Sequence, residues 1–314
     1  MSNERVLVSG GCGQIGTDLV PALQRKYGKE NVITNDIVER KWNGILECFD
    51  FQDRNKVEEI IKKYKIKQIY HLACILSAAG EKIPYKTWEV NMQTLRNVLD
   101  LAEKYKLRVF WPSSIAIFGA TTPKINTPQL TIAEPTTMYG ITKRAGEFLC
   151  NYYFYKFGID IRSVRFPGII SYKQEPGGGT TDFAVDIFCK GLTEGNYKSF
   201  VRRDTILPMM YMDDAIRAAM QIMDADSKKI TVHTSYNLAA VSFSAGELED
   251  ELKKHIPQLQ VTYEPDKRQA IADSWPKKID DSQARKDWGW KHEFDLPKMT
   301  ADMVVNLKKK YGIA

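Results

Sequence analysis

The sequence predicts an α/β fold built on a doubly wound parallel sheet, followed by a smaller C-terminal α/β domain. Two observations support this fold class. Apolar runs of strand length alternate with segments of helical periodicity from Arg5 to Phe166, and strands that alternate with helices form parallel sheets. A glycine-rich stretch also separates the first strand from the first helix. We therefore place one domain at residues 1–165 and a second, mainly substrate-binding one at residues 166–314, with a soft boundary that allows some later elements to return to the first sheet.

The glycine-rich stretch is Gly10-Gly-Cys-Gly13-Gln-Ile-Gly16, between the strand 5–9 and the helix 17–26. Glycines at this position let the backbone approach a pyrophosphate, whose charge meets free N–H groups at the start of the helix. The second strand, 31–36, ends in Asp36, twenty residues past Gly16, where a carboxylate can accept from a ribose diol. These features together predict a Rossmann-type site for NAD, because Asp36 repels the 2′-phosphate of NADP.

The remaining elements follow the same alternation. Asp50 ends the third strand and is expected to meet the adenine amino group. Further strands are predicted at 45–50, 68–73, 108–112 and 159–166, and helices at 53–64, 84–105 and from Tyr139 onward. In the second domain we expect helices at 183–192, 212–223, 244–256 and 296–311, and strands at 200–207 and 236–238.

The helix that opens at Tyr139 carries the predicted chemistry. A spacing of four residues puts Tyr139 and Lys143 on one helix face, and a neighbouring ammonium is expected to lower the pKa of the phenol so that it accepts a proton. Ser114 follows a strand at the sheet edge where ligands gather, and its hydroxyl can hold an alcohol that is being oxidised. A packed ring, a solvated charge and a turn-capping serine are the structural alternatives for these residues.

Composition excludes several classes of protein. The chain has 314 residues with 45 Lys and Arg against 39 Asp and Glu, and no basic block typical of nucleic-acid binding. No apolar run approaches the roughly 20 residues of a membrane span. The five cysteines are widely spaced without a Cys-x-x-Cys pair, so we expect neither disulfides nor a metal site. A strand that starts at Arg5 leaves no room for a signal peptide, and we expect a cytoplasmic protein.

Cys12 lies inside the glycine loop. If its sulfur is exposed, the N–H groups at the helix start favour a thiolate, and alkylation of Cys12 would then block NAD binding. A thiol that faces the core is the alternative.

Five landmarks in the correct order make the sequence resemble the extended short-chain dehydrogenase/reductase family. They are Gly10-x-x-Gly13-x-x-Gly16, His71-Leu-Ala73, Ser113-Ser114, Tyr139-x-x-x-Lys143 and Arg165-Phe-Pro-Gly168. The resemblance covers nearly the whole chain and implies NAD-dependent chemistry with Ser114, Tyr139 and Lys143 as catalytic residues. It implies cofactor contacts by Gly10, Gly13, Gln14, Ile15, Gly16, Asp36, Asp50, Phe51, Leu72, Ala73, Tyr139, Lys143, Phe166 and Ile169.

More narrowly, the sequence is similar to the threonine-dehydrogenase branch of that family. The segments that carry this similarity are 74–84, Trp88-Glu-Val-Asn91, 117–123, 165–171, 176–182 and 271–276. The branch oxidises the β-hydroxyl of L-threonine to 2-amino-3-oxobutyrate, which becomes aminoacetone or is split by a CoA ligase into glycine and acetyl-CoA. The similarity further implies a homodimer paired through the helices around 88–105 and 139–157. It implies substrate contacts by Ser77, Ser113, Ser114, Tyr139, Gly179, Thr180, Thr181 and Trp275.

The glycine loop 177–181 is compatible with an amino-acid substrate, since its backbone N–H groups and hydroxyls suit a carboxylate and its glycines permit motion. A flexible surface loop, a capping Ser77 and a core Trp275 are the structural alternatives. A nucleotide-sugar epimerase or dehydratase is the rival enzyme, because it shares the fold and the Tyr/Lys pair. A non-catalytic dinucleotide sensor is a further rival, although it has no need of Ser114, Tyr139 and Lys143 together.

Overall fold

The computed structural model describes residues 4–177 and 179–313. Gly178, in the glycine loop expected to bind substrate, lies outside this part of the chain. In chain order the β-strands are β1 (Val6–Ser9), β2 (Val32–Asp36), β3 (Ile45–Cys48), β4 (Gln68–His71), β5 (Arg108–Phe110), β6 (Ser113–Ser114), β7 (Ile161–Arg162), β8 (Val164–Phe166), β9 (Gly168–Ile170), β10 (Asn196–Ser199), β11 (Ile206–Tyr211), β12 (Tyr236–Asn237), β13 (Val241–Ser244) and β14 (Gln260–Tyr263).

The α-helices follow the predicted alternation with these strands. In chain order they are α1 (Gly16–Tyr27), α2 (Arg54–Tyr64), α3 (Ser77–Gly80), α4 (Pro84–Tyr105), α5 (Met138–Phe157), α6 (Phe183–Glu194), α7 (Met212–Asp224), α8 (Ala245–Lys253), α9 (Arg268–Ser274), α10 (Ser282–Trp288) and α11 (Leu296–Tyr311). Among the described residues, no helix combines the length and the hydropathy that crossing a bilayer requires.

The largest sheet has six parallel strands in the order β3-β2-β1-β4-β5-β7. The strand order reverses between β1 and β4, and ligands of doubly wound sheets bind at the carboxyl ends of the strands beside such a point. The last residues of these two strands, Ser9 and His71, are partners in the register. The predicted α/β fold with a doubly wound parallel sheet is therefore confirmed.

The chain divides into two compact units. The first unit contains the chain up to Ser114, then Thr136–Arg165 and Ile216–Tyr236, and the second unit contains Ile115–Pro135, Phe166–Ala215 and the chain from Asn237 onward. In the first unit, sheet residues such as Leu7 and Val109 are fully buried in one core with residues of α4 such as Leu99. Alternating strands and helices bury a large apolar area in this way, which is the main source of stability.

A buried arginine explains why the segment 216–236 belongs to the first unit. Arg162, on β7, is 1% exposed. Its guanidinium donates to the carbonyl oxygens of Ile222, Met223 and Ala225, at 2.6, 3.0 and 2.6 Å. These are carbonyl groups at the C-terminal end of α7, which lack partners within the helix. The positive charge therefore caps α7 and also complements the helix dipole.

The second unit is built from shorter pieces. Strand β11 pairs in parallel with β9 and antiparallel with β13, while β10 and β14 form a separate parallel pair. The predicted strand at 200–207 is wrong, because β10 ends at Ser199 and β11 begins at Ile206. The predicted strand 159–166 is broken at Ser163, since β7 belongs to the six-stranded sheet whereas β8 pairs with β6 and β12.

Candidate active site

The glycine loop lies at the carboxyl end of β1 and touches the backbone that follows β4. Gly10 has φ +63°, and a Cβ there would lie 2.7 Å from the nitrogen of Ala73. A Cβ at Gly16 would lie 2.4 Å from the oxygen of Gly11. Only glycine fits either position. Gly13 is exposed, and Gln14, Ile15, Leu72 and Ala73 are partly exposed around the same loop. The backbone here forms a cradle of the kind that admits a pyrophosphate.

His71 supports this cradle from inside the protein. It is 1% exposed, and its Nδ1 lies 2.7 Å from Oγ of Ser9. Burial, and then the charge of Lys143, lower the pKa of His71 to about 3, so the ring is neutral at physiological pH. The ring of Phe51 stacks on it at 5.5 Å between centroids. Phe51 is buried in the core, and its side chain packs against His71. The predicted cofactor contact of Phe51 would therefore be made by its backbone.

Asp36 ends β2 beside the loop. Its two carboxylate oxygens accept from the backbone N–H groups of Cys12 at 3.0 Å and Ile37 at 2.9 Å. A carboxylate has about four acceptor sites, so Asp36 keeps capacity for a ribose diol. Asp50 is exposed after β3, and its Oδ1 accepts from Gln52 N–H at 2.8 Å. The glycine cradle and Asp36 thus fit the pyrophosphate and the adenosine ribose of NAD.

The expectation of an activated thiol in the loop is wrong. Cys12 is 3% exposed, and burial and then the charge of Asp36 raise the pKa of its thiol. Asp36 also accepts from the backbone N–H of Cys12, which places its negative charge close to the thiol. Cys12 is therefore a buried thiol beside the cradle.

The helix α5 places Tyr139 and Lys143. Thr137 caps it, since Oγ1 of Thr137 accepts from Gly140 N–H at 3.1 Å. Glu81, just past α3, accepts from Met138 N–H at 2.7 Å and ties that short helix to the start of α5. Tyr139 therefore lies in a fixed first turn, and its phenol is hydrogen-bonded to the hydroxyl of Ser114. Ser114 and Tyr139 are brought together as the sequence predicted.

Lys143 lies one turn further along and is 4% exposed. Its Nζ donates to the carbonyl oxygen of Pro112 at 2.6 Å and lies 4.7 Å from the ring centroid of Trp111. Gly146 makes room for that indole, because a Cβ at 146 would lie 2.4 Å from its Cη2 atom. Burial lowers the pKa of Lys143, whereas the charges of Cys74, Cys150 and Glu147 raise it.

The expectation that Lys143 lowers the pKa of Tyr139 is wrong. Burial raises the pKa of Tyr139 well above its ordinary value, and Cys74 adds to the rise. The hydrogen bond from Ser114 is the influence that lowers it. Nζ of Lys143 is 5.6 Å from the centre of the Tyr139 ring and is bound to Pro112. Without a ligand, the phenol is therefore neutral.

Sequence reasoning missed Glu147, which is completely buried on the next turn of α5. Its carboxylate accepts from Oγ of Ser113 at 2.7 Å, and from Nε and Nη2 of Arg165 at 2.8 and 2.9 Å. Nη1 of Arg144 donates to the same carboxylate at 2.8 Å. These four residues are called the Glu147 cluster below. Ser113 is 2% exposed and its Oγ is bound to Glu147, an arrangement that does not favour its predicted contact with substrate, which stays a prediction.

The other predicted substrate residues lie in different places. Ser77 is the first residue of the one-turn helix α3 and is partly exposed, and it does not cap that helix. In the second unit, Gly179 N–H donates to Oδ2 of Asp182 at 2.7 Å, which removes this N–H from the predicted carboxylate site. Thr181 is partly exposed, whereas Thr180 and Trp275 are each 7% exposed.

Two predicted cofactor residues also belong to the second unit. Phe166 is 4% exposed at the end of β8, and Ile169 is partly exposed on β9. Over residues 4–177 and 179–313, no group of three or more His, Cys, Asp or Glu side chains is arranged to hold a metal ion.

A doubly wound sheet with a glycine cradle, an acid at the end of β2 and a Ser/Tyr/Lys group on α5 defines a dinucleotide-dependent oxidoreductase. The family described as the NAD dependent epimerase/dehydratase family matches residues 6–239, and the chain belongs to this family. This confirms the resemblance seen in the sequence. NAD is the cofactor, as predicted.

Relatives match the chain over nearly its whole length. An uncharacterised epimerase/dehydratase of Staphylococcus haemolyticus is 48% identical over 313 residues, 98% of each chain. The holo form of a GalE-like L-threonine dehydrogenase from Cupriavidus necator is 50% identical, with a TM-score of 0.95, over 97% of this chain and 100% of that one. A monomeric L-threonine 3-dehydrogenase from a metagenome, in its apo form, is 50% identical with a TM-score of 0.94, over 97% and 99% of the two chains.

Proposed function

We propose that this enzyme oxidises the β-hydroxyl of L-threonine to 2-amino-3-oxobutyrate with NAD. The observation that carries the proposal is the near-complete match, at 50% identity, to solved L-threonine dehydrogenases. The bonded Ser114 and Tyr139 side chains supply chemistry suited to oxidising an alcohol. A secondary alcohol beside an amino and a carboxylate group is the substrate class that this match supports.

Ser114 and Tyr139 act on the substrate hydroxyl in this proposal. The Ser114 hydroxyl donates a hydrogen bond to the substrate oxygen and fixes its position. Once the phenol of Tyr139 has lost its own proton, the phenolate oxygen takes the hydroxyl proton as the carbon–hydrogen bond breaks. Since the pKa of Tyr139 is raised in the free protein, its ability to accept a proton increases with pH.

Lys143 holds its ammonium beside this pair. Bound NAD supplies the acceptor for the hydride that leaves the β-carbon. The ammonium of Lys143 is held by the Pro112 carbonyl and by the face of Trp111, in a position to donate to a ribose hydroxyl. Asp36 is the proposed partner of the other ribose, and its charge disfavours NADP.

For the substrate's amino-acid group we propose candidate contacts from each unit. In the first unit, Ser77 is partly exposed at the start of α3, and α3 is tied to the turn that carries Tyr139. In the second unit we propose Thr180, Thr181 and Trp275 as contacts, following the family similarity. Thr181 presents a hydroxyl that suits a carboxylate.

The test is to mix the protein with NAD and L-threonine and to record NADH formation. Tyr139→Phe is the matched control, and 2-propanol tests whether a secondary alcohol without the amino-acid group suffices. We expect NADH with L-threonine and almost none with 2-propanol, whose lack of charged groups leaves the site without partners. Epimerisation of a nucleotide sugar with no NADH from threonine would overturn the proposal.

We further propose a homodimer paired through α4 and α5. Apolar side chains of α5 lie exposed on one face at spacings of seven, four and three residues: Ile141, Phe148, Tyr152 and Tyr155. On α4, Tyr85 and Trp88 are also exposed. An apolar stripe of this kind on a soluble protein marks an interface.

The dimer is tested by light scattering during gel filtration. We expect a dimer that Tyr152→Lys combined with Tyr155→Lys converts to a monomer, whereas Val305→Lys on α11 leaves the dimer intact. A monomer at every concentration would contradict the dimer, and one solved relative is described as monomeric. The product suits a 2-amino-3-oxobutyrate CoA ligase as the next enzyme, and we propose a cytoplasmic location for both.

A further inference from the structure

Glu147 connects three separate elements of the first unit. It lies on α5, its partner Ser113 lies on β6, and its partner Arg165 lies on β8. The strands β6 and β8 are neighbours in one sheet. One carboxylate therefore joins the side chains of two paired strands to the helix that carries Tyr139. The chain positions of Ser113 and Ser114 are adjacent, so the bond to Ser113 also restrains the serine that contacts Tyr139.

The position of Glu147 on α5 puts it in line with the proposed catalytic pair. Tyr139, Lys143 and Glu147 are spaced by four residues, which stacks them on one helix face. The distance from Tyr139 to Glu147 along the axis is about 12 Å. Lys143, which lies between them on the same face of α5, is 4% exposed, so solvent screens a charge at Glu147 less than it would on the surface.

The charge of Glu147 is balanced locally. Arg165 is 3% exposed and makes a bidentate ion pair with Glu147, and Arg144 adds a second, partly exposed guanidinium. Arg165 and then Ser113 and Arg144 hold the pKa of Glu147 below its ordinary value despite burial. Removal of the carboxylate would leave Arg165 as a buried cation without its ion-pair partner, which is costly.

We propose that Glu147 is a positioning residue of the oxidation, which fixes Ser114 against Tyr139 through Ser113 and sets the charge around the phenol by neutralising Arg165. This proposal rests on the proposed function of Ser114 and Tyr139. The cluster does not touch substrate in this account. Its effect reaches the reaction through the hydroxyl of Ser114 and through the electrostatic potential at Tyr139.

Other titratable groups face the same pair and must be held constant in any test. Cys74, after β4, and Lys143, on α5, lie beside Tyr139. Lys143 also faces His71 from β4 and Cys150 from α5. None of these groups changes in a variant of the Glu147 cluster, so a shift in the titration of Tyr139 reports on the cluster.

The main experiment compares Glu147→Gln with Arg144→Gln. The glutamine keeps an oxygen for Ser113 but removes one negative charge, and the more positive cluster then favours the phenolate. We expect the acid limb of the pH–rate profile to move to lower pH by about one unit. We also expect kcat to fall about 10-fold, because a neutral amide accepts a weaker hydrogen bond from Ser113 and loses the ion pair with Arg165, so that Ser114 is less well held; KM for NAD stays the same. Arg144→Gln keeps the ion pair between Glu147 and Arg165 and, because the Arg144 side chain is 23% exposed and screened by solvent, should change kcat and the limb much less.

A titration that needs no substrate separates this proposal from the proposed function. Protein labelled with 3-fluorotyrosine shows a fluorine resonance for Tyr139, assigned by its loss in Tyr139→Phe. In Glu147→Gln this resonance should titrate at lower pH than in the parent protein, whether or not threonine is the substrate. An unchanged titration, with kcat reduced no more than in Arg144→Gln, would overturn the proposal.

Ser113→Ala is a second variant, which tests the proposal if Glu147→Gln does not fold. This small change removes the link between Glu147 and β6 and keeps the ion pair with Arg165. We expect kcat to fall several-fold and the melting temperature to fall slightly, because a buried hydrogen bond to a carboxylate is lost, with an unchanged KM for NAD and an unchanged acid limb. Activity equal to that of the parent protein would show that the link does not position Ser114.

Discussion

The two regions proposed to handle the substrate are held in opposite ways. In the first unit, the Glu147 cluster binds α5 to β6 and β8 through buried hydrogen bonds and ion pairs. In the second unit, the segment before Gly179 is held from α11 by Lys310, whose Nζ contacts the oxygens of Tyr172 at 3.1 Å and Glu175 at 2.6 Å. The side chains of Lys310 and Glu175 are 31% and 63% exposed.

This difference indicates which part of the candidate site is held rigidly in the absence of substrate. Removing one partner of a buried ion pair leaves the other charge buried and unpaired. This lowers the free energy of unfolding by about 3–5 kcal/mol. An exposed pair contributes about 0–1 kcal/mol and weakens in salt. The groups proposed to move the proton are therefore rigid, while the segment 172–175, which precedes the proposed substrate contacts Thr180 and Thr181, can adjust at little cost.

The largest effect is expected in the rigid region, from Tyr139→Phe. The ring stays packed on α5 and only the proton acceptor is lost, so kcat should fall about 10³-fold. NAD affinity, measured by fluorescence titration, should stay within about twofold of the parent value. Near-normal turnover would remove Tyr139 from the catalytic role.

The next effect concerns the cofactor. Asp36 sits at the end of β2 with spare acceptor capacity, and a 2′-phosphate brings like charges together there. We expect kcat/KM with NADP to be about 100-fold below that with NAD. Asp36→Asn should narrow this gap, since the amide carries no charge. Equal kcat/KM with NAD and NADP in the parent enzyme would show that the Asp36 carboxylate does not repel the 2′-phosphate.

A smaller effect is expected from Ser114→Ala, which should lower kcat about 10-fold because Tyr139 still accepts the proton. The hydrogen bond from Ser114 lowers the pKa of Tyr139, so its loss raises that pKa further. A higher phenol pKa moves the acid limb of the pH–rate profile to higher pH, opposite to the shift expected for Glu147→Gln. An acid limb that stays in place or moves down would contradict this role of Ser114.

The smallest effect is expected in the second unit. Lys310→Met removes the tether to Tyr172 and Glu175 and should raise KM for L-threonine about threefold with kcat nearly unchanged, as expected for an exposed pair. Lys309→Met, one residue away and exposed, is the control. If Lys310→Met lowered kcat as strongly as Ser114→Ala does, the segment would belong to the rigid part of the site.

The long, periodic elements were predictable from sequence. Helices α4 and α11 begin and end at the predicted residues. Each carries an apolar stripe and has a proline at its first or second residue, so both its course and its start are visible in the sequence. Short pieces such as β6, β9 and α3 were missed, since two to four residues show no periodicity. The break at Ser163 is set by which sheet each strand joins, and that is a tertiary property.

Those parts of the candidate site that depend on the spacing of residues along the sequence were predictable. Gly10, Asp36, Tyr139 and Lys143 lie at distances along the chain that have a physical meaning of their own. Glu147 continues the spacing of four residues set by Tyr139 and Lys143, but a glutamate on an amphipathic helix is expected to be solvated until the strands that cover it are known. The raised pKa of Tyr139 was also missed, since burial outweighs a neighbouring ammonium and burial cannot be read from spacing.

The cap that Arg162 places on α7 has a consequence for the order in which the protein folds during synthesis. The carbonyl groups that the Arg162 guanidinium binds at the end of α7 lie 60 to 63 residues later in the chain. A ribosome that has released only residues up to 165 has made a sheet in which Arg162 is paired with Asp160 but still lacks the three carbonyl groups of the later segment. The first unit is therefore completed only after the chain has passed through part of the second, and a fragment that stops at the apparent domain boundary should be less stable than the complete unit.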